Sequence, residues 1–180
     1  MTAPSIPPAQ ALWYKPDTAL DLASMILAKG GMISATGKML PASLPKILKY
    51  MDPLIKRFER KLYRQGCHPD LVRRVMVCAG EAIPNAAEYG QPGTMVDVWL
   101  LTYGSGPHRL TMLLVENRIA ADSQRILPAP DAVKGFEDYP FELRGHGIVL
   151  MRDQSEAMVI LNEPGERVRT ILFFSAREGE

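Results

Sequence analysis

The segment Arg144-Gly145-His146-Gly147-Ile148-Val149-Leu150-Met151-Arg152 decides how the rest of this chain is read. Two glycines flank a histidine, and an apolar run that suits a helix follows. Glycines let a backbone approach a ligand closely. A helix N-terminus offers free amides and the positive end of a dipole, so an anion such as phosphate suits that place. Arg144 and Arg152 can add charge-assisted hydrogen bonds to it. An ordinary glycine turn ahead of a helix has the same appearance, and His146 reads more readily as a loop side chain than as a base.

Upstream stands Glu81-Ala82-Ile83-Pro84-Asn85-Ala86-Ala87-Glu88-Tyr89-Gly90. Glu81 and Asn85 are four apart on a predicted helix, which stacks them one turn apart on one face. An amide oxygen can ligate magnesium, and a carboxylate one turn away can orient or deprotonate a hydroxyl. Two exposed helix residues also fit this spacing.

Between and around these segments the period of the apolar residues sets the elements. Residues 1 to 15 are proline-rich and read as a loose arm, followed by a short amphipathic helix over Asp17 to Lys29 that Gly30-Gly31 closes. A weak strand is expected over Met32 to Leu40. From Ser43 to Gln65, Leu44, Ile47, Leu48, Met51, Leu54, Ile55, Phe58 and Leu62 share one helical face, while Lys49, Lys56, Arg57, Arg60 and Lys61 line the other as a solvated surface. Pro53 lacks an amide hydrogen, so a kink or break at Asp52 is expected. Pro69 to Tyr89 is the next helix, stopped by Gly90.

The pattern then turns to strands: Met95 to Tyr103 and Arg109 to Glu116 form a hairpin about Gly104-Ser105-Gly106-Pro107. A long irregular stretch, Asn117 to Leu143, precedes the helix expected after Gly147. Ala157 to Leu161 and Arg167 to Ser175 make a second hairpin about Asn162-Glu163-Pro164-Gly165. These elements predict an α+β fold, a two-layer sandwich with helices on one face of a mostly antiparallel sheet. The expected division is an N-terminal arm and helix over 1–31 and one domain over 32–180.

Bulk properties narrow the partners. The chain has 180 residues, 47% apolar and 23% charged, as soluble globular domains do. Its 21 basic and 20 acidic residues give a net charge of +1, which supports neither nucleic-acid nor membrane-surface binding through bulk charge. Cys67 and Cys78 read as reduced thiols. No signal peptide and no run of spanning length is seen, so a cytoplasmic location is expected.

In their order and spacing, these segments resemble the GHKL superfamily of ATPases, which includes histidine kinases, Hsp90, gyrase B and MutL. Within it the likeness is closest to the small anti-sigma-factor serine/threonine kinases. Glu81-x-x-x-Asn85-Ala86 resembles the family's asparagine box, and Gly145-His146-Gly147-Ile148 with Met151 resembles its phosphate-binding glycine box. The likeness spans roughly residues 33 to 176 and implies the Bergerat-type ATPase sandwich. It implies ATP and Mg2+ as cofactors, Glu81 as base, and Asn85 as magnesium ligand. Arg144, Gly145, His146, Gly147 and Ile148 then cradle the phosphates. It further implies a regulatory protein partner of the sigma-factor or anti-sigma-antagonist class, and it allows a homodimer.

Two departures stand against a working site. The family's Asp-x-Gly-x-Gly motif, whose Asp binds the adenine amino group, is replaced by Val115-Glu116-Asn117-Arg118-Ile119-Ala120-Ala121-Asp122. Glu116 is read at the position of that Asp, and both glycines are absent. Pro84 removes a hydrogen bond to Gly80, at about 3 kcal/mol in a regular helix. The implied function is an ATP-binding regulatory kinase that phosphorylates or sequesters a partner. The alternative is a nucleotide-independent docking module that kept the fold. A histidine phosphotransferase ranks below both, since none of His68, His108 and His146 sits mid-helix.

Overall fold

The computed structural model describes residues 10–15, 17–18, 21, 32–104, 109–118, 146–163 and 166–176. In chain order these form β1 (Gln10–Tyr14), β2 (Met32–Pro41), α1 (Leu44–Arg64), α2 (Pro69–Tyr89), β3 (Met95–Tyr103), β4 (Leu110–Arg118), α3 (His146–Gln154), β5 (Ala157–Glu163) and β6 (Arg167–Ser175). The strands make one sheet in the order β1-β5-β6-β4-β3-β2. Every neighbouring pair is antiparallel. The expected α+β sandwich is the observed fold.

Strand alternation divides the sheet into two faces. Val96, Val98 and Leu100 of β3, Leu113 and Val115 of β4, and Leu172 and Phe174 of β6 enter the main core beneath the helices. On the other face Leu110, Ala157, Val159 and Phe173 form a second, smaller cluster. From α1, Ile47, Leu54, Phe58 and Leu62 are buried. From α2 comes a stripe from Leu71 and Val72 to Ala86 and Ala87. Both follow the three- and four-residue spacing, except that Leu48, expected on the buried face of α1, is exposed.

Three expectations change, and the stop at Gly90 holds for a different reason. Gln10–Tyr14, inside the stretch read as a loose arm, pairs with β5 as the sixth strand. It is free of proline and rich in aromatic residues, and β5 offers it an unpaired edge. Pro53 does not break α1, which runs unbroken through it. Lys49, the residue whose carbonyl loses its partner, is exposed, so water can take the place of the missing amide. Gly90 ends α2 with an extended backbone, φ −74°, and not with a left-handed cap. Its need for glycine is steric: a Cβ there would lie 2.8 Å from the Ala86 carbonyl oxygen and 3.2 Å from the Ala42 Cβ. Finally, the second hairpin carries its strand further, since Asn162 and Glu163 belong to β5.

The helix expected over Asp17 to Lys29 falls mostly outside the described residues; Asp17, Thr18 and Asp21 are helical. Residues 105–108 of the first hairpin turn, the 119–145 stretch, where the resemblance would put a lid around Lys134 to Asp138, and the Pro164-Gly165 turn lie outside them too. Among the described residues no helix is long and apolar enough to cross a membrane.

Candidate nucleotide site

The two segments on which the reading turned meet between α2 and α3. Glu81 and Asn85 stand one turn apart on α2 and are half-buried. Pro84 leaves α2 continuous, so the two side chains keep their common face. Gly80, whose carbonyl loses its partner, is partly exposed, and water can reach it. Gly147 lies opposite. A Cβ added to it would stand 2.9 Å from Glu81 Oε2 and 3.0 Å from Asn85 Nδ2. The glycine is thus what allows the start of α3 to sit against these two side chains.

α3 begins at His146, so Gly147 belongs to its first turn and does not precede the helix as the sequence suggested. Arg144 and Gly145 lie outside the described residues, as does the His146 side chain. Ile148 packs against the main core. Arg152 stands in the last turn of α3, at the opposite end from Gly147, and its Nε donates to Asp153 Oδ1 at 2.8 Å.

A cavity of about 120 Å3 opens beside Gly147. Asn85, Ala86 and Tyr89 line it from α2, Ile148 and Met151 from α3, and Asn117 and Thr170 from the sheet. Asn117 is only 2% exposed. Its Nδ2 has no hydrogen-bond partner among the described residues. A buried amide left unpaired is costly, roughly 1–3 kcal/mol, so this group has a hydrogen bond to offer in the cavity wall.

Glu116 is not in this cavity. Successive residues on a strand point to opposite faces, so Asn117 enters the helix side and Glu116 the other. There Glu116 pairs with Arg169 and, at 3.4 Å, with Arg167. Arg169 also holds Glu163 at 3.0 Å. The hydrogen bond that Arg169 donates to the Glu116 carboxylate pushes the Arg169 pKa up. Asp97, the cross-strand neighbour of Glu116, is pushed up too, first by desolvation and then by the Glu116 charge. Asp97, Glu116 and Arg167 border a larger cleft of about 660 Å3, which Asn117 lines as well and which none of Glu81, Asn85 and Gly147 lines.

A buried arginine that the sequence reading passed over holds the helices in register. Arg74 is fully buried. Its Nε donates to Asp70 Oδ2 at 3.0 Å, Nη1 to Glu156 Oε1 at 2.9 Å, and Nη2 to the Ser175 carbonyl at 2.8 Å. It joins α2 to the α3–β5 junction and to the end of β6. The signal was present: Arg74 lies three residues after Leu71 and four before Cys78, within the apolar stripe. Nearby, the Cys78 thiol makes a weak contact to the Met151 carbonyl at 3.8 Å. Burial pushes its pKa up to about 12, with the Glu81 charge adding to the rise and Arg74 opposing it.

No cluster of three or more His, Cys, Asp or Glu side chains occurs among the described residues. Asn85 and Glu81 do supply two oxygen-bearing side chains at the positive end of α3. That donor set suits a magnesium ion whose other ligands are phosphate oxygens and water.

A family profile for the histidine kinase-like ATPase domain matches residues 44–172. That span is well over half of the chain, so the protein belongs to the histidine kinase-like ATPase family, of the GHKL type. A comparison with curated proteins gives no match.

Proposed function

We propose that this chain is an ATP-binding regulatory protein of the anti-sigma-kinase kind, acting in the cytoplasm on a protein partner. The observation that carries the reading is one cavity with two suited ends. Asn85 and Gly147 line it at the start of α3, with Glu81 set against Gly147, and Asn117, whose Nδ2 has no partner among the described residues, stands in its wall. In this reading the N-terminal amides of α3 hold phosphate oxygens, with Gly147 admitting them closely. Asn85 holds magnesium through its amide oxygen, and the ion neutralises phosphate charge when bound. Glu81 accepts the proton of the partner's serine hydroxyl as that oxygen attacks the terminal phosphorus and ADP leaves. Asn117 takes the adenine-reading role that Glu116 cannot reach. Its amide can accept from the exocyclic amino group and donate to a ring nitrogen, the paired recognition that Asn makes with adenine elsewhere.

One observation favours the second reading, a nucleotide-independent docking module. Glu81 places its carboxylate against the first turn of α3, the position a phosphate would need. A single thermal-shift series separates the two. At about 100 times the dissociation constant, Mg-ATP should add about 2.7 kcal/mol of stability. Asn85→Ala should remove the magnesium dependence of that gain. A chain whose melting temperature ignores millimolar Mg-ATP is the docking module and not the kinase.

A further inference from the structure

α1 carries a surface that neither nucleotide binding nor packing uses. Lys46, Lys49, Lys56, Arg57, Arg60 and Arg64 are all exposed. At 100° per residue they fall within about a third of the helix circumference, opposite the buried stripe, and run about 27 Å along the axis. Asp52 and Glu59 lie on the shoulder of this stripe and not on its crest. Among the described residues none of the six forms an ion pair. Every ion pair there belongs to α2, α3 or the strands β4 to β6 and the turns between them. The chain as a whole is nearly neutral at +1, so this face holds much of its unbalanced positive charge.

One end of the stripe is shaped. Lys38 from β2 places its Nζ 5.0 Å from the centre of the Tyr50 ring, and Lys49 places its own at 6.0 Å. Two ammonium groups from different elements thus converge on one exposed aromatic ring. Their charges and the phenol hydroxyl make a ready seat for a carboxylate.

We propose that this face of α1, with Lys38 and Tyr50, docks an acidic segment of a partner protein. A run of carboxylates complements the stripe along its length. Nucleic acid is a poorer fit, because the chain's 20 acidic residues, Asp52 and Glu59 on α1 among them, cancel the long-range field that a polyphosphate responds to. A lipid surface is also poorer, because the apolar side of α1 is buried against α2 and the sheet and cannot insert. The proposal is independent of the nucleotide reading, since the stripe is made by α1 and β2 and the candidate site by α2, α3 and the sheet.

The test uses the full chain and a labelled glutamate-rich peptide of about 20 residues, roughly the length of the stripe as a helix. Its binding is compared with that of a single-stranded oligonucleotide and of phosphatidylserine-containing vesicles. The peptide should bind at low ionic strength and weaken as salt rises to several tenths molar. The charge-reversed K49E/K56E/R60E chain should bind it about tenfold or more weakly. A neutral K49Q/K56Q/R60Q chain guards against loss of fold, with circular dichroism confirming the helix content of each. Equal binding by the folded variants overturns the proposal. So do an absence of peptide binding at low salt and tighter binding to the oligonucleotide or the vesicles.

Discussion

Gly147→Ala tests the site at its narrowest point. Ordinary contact begins at 3.4 Å, so a new Cβ forces Glu81 Oε2 back by about 0.5 Å and Asn85 Nδ2 by about 0.4 Å. Both atoms end side chains and can yield by rotation, so the fold should survive. Alanine also favours a helix over glycine by up to about 1 kcal/mol. These effects oppose each other, and the expected change in stability without ligand stays within about 1 kcal/mol, or about 2–4 °C for a chain of this size. Ligand binding should respond far more strongly, because the same displacement moves both the magnesium ligand and the base and fills the space where phosphate approaches. Wild type should gain about 5–10 °C from saturating Mg-ATP in differential scanning fluorimetry. The variant should lose that gain. Two outcomes refute the reasoning: a variant that retains the full Mg-ATP shift, or one whose ligand-free melting temperature falls by about 10 °C or more. The second would make Gly147 a packing glycine first.

Other consequences follow from the buried and charged groups. Arg74→Met removes the buried guanidinium from Asp70, Glu156 and the Ser175 carbonyl; Asp70 keeps its ion pair with Arg73 and both carboxylates are partly exposed, so the expected loss is about 2–3 kcal/mol, read by chemical denaturation. A loss below about 1 kcal/mol would show that the Arg74 network contributes little. Asp97→Asn should raise the melting temperature at pH 7 and leave it unchanged near pH 3. The raised pKa means the native state holds this proton more tightly than the unfolded chain. Stability from the group is therefore present at low pH and lost as pH rises through its native pKa. Cys78, raised to about 12, should resist iodoacetamide at pH 8 in the native chain and react once unfolded, as mass spectrometry can follow. Its contribution to stability is present below pH 9 and declines as pH climbs toward 12.

The two long helices and both hairpins were legible because their signals are local. The repeat at Ile47, Leu54, Phe58 and Leu62 works only on a helix, and the alternation from Met95 to Tyr103 only on a half-buried strand. Glu81, Asn85 and Gly147 were expected as site residues through the resemblance, and the fold brings the three side by side. Other features depend on neighbours from distant sequence. Gln10–Tyr14 is a strand because β5 has a free edge for it. Gly90 is glycine because Ala42 and the Ala86 carbonyl crowd it. Arg74 is buried because Glu156 and the end of β6 receive its charge and hydrogen bonds.

The division is sharpest at Glu116 and Asn117. From the sequence alone, an acidic residue near the end of β4 is the natural substitute for a missing Asp. A strand reverses its facing at every residue, however, and which parity points inward is set by the sheet and by the helices that cover one side of it. Periodicity along the chain established that β4 is a strand, that α2 presents Glu81 and Asn85 together, and that a glycine opens α3. Only the packed sheet decided that Glu116 belongs to the arginine network outside and Asn117 to the cavity, because the face a side chain enters is a property of the layers around the strand and not of the strand itself.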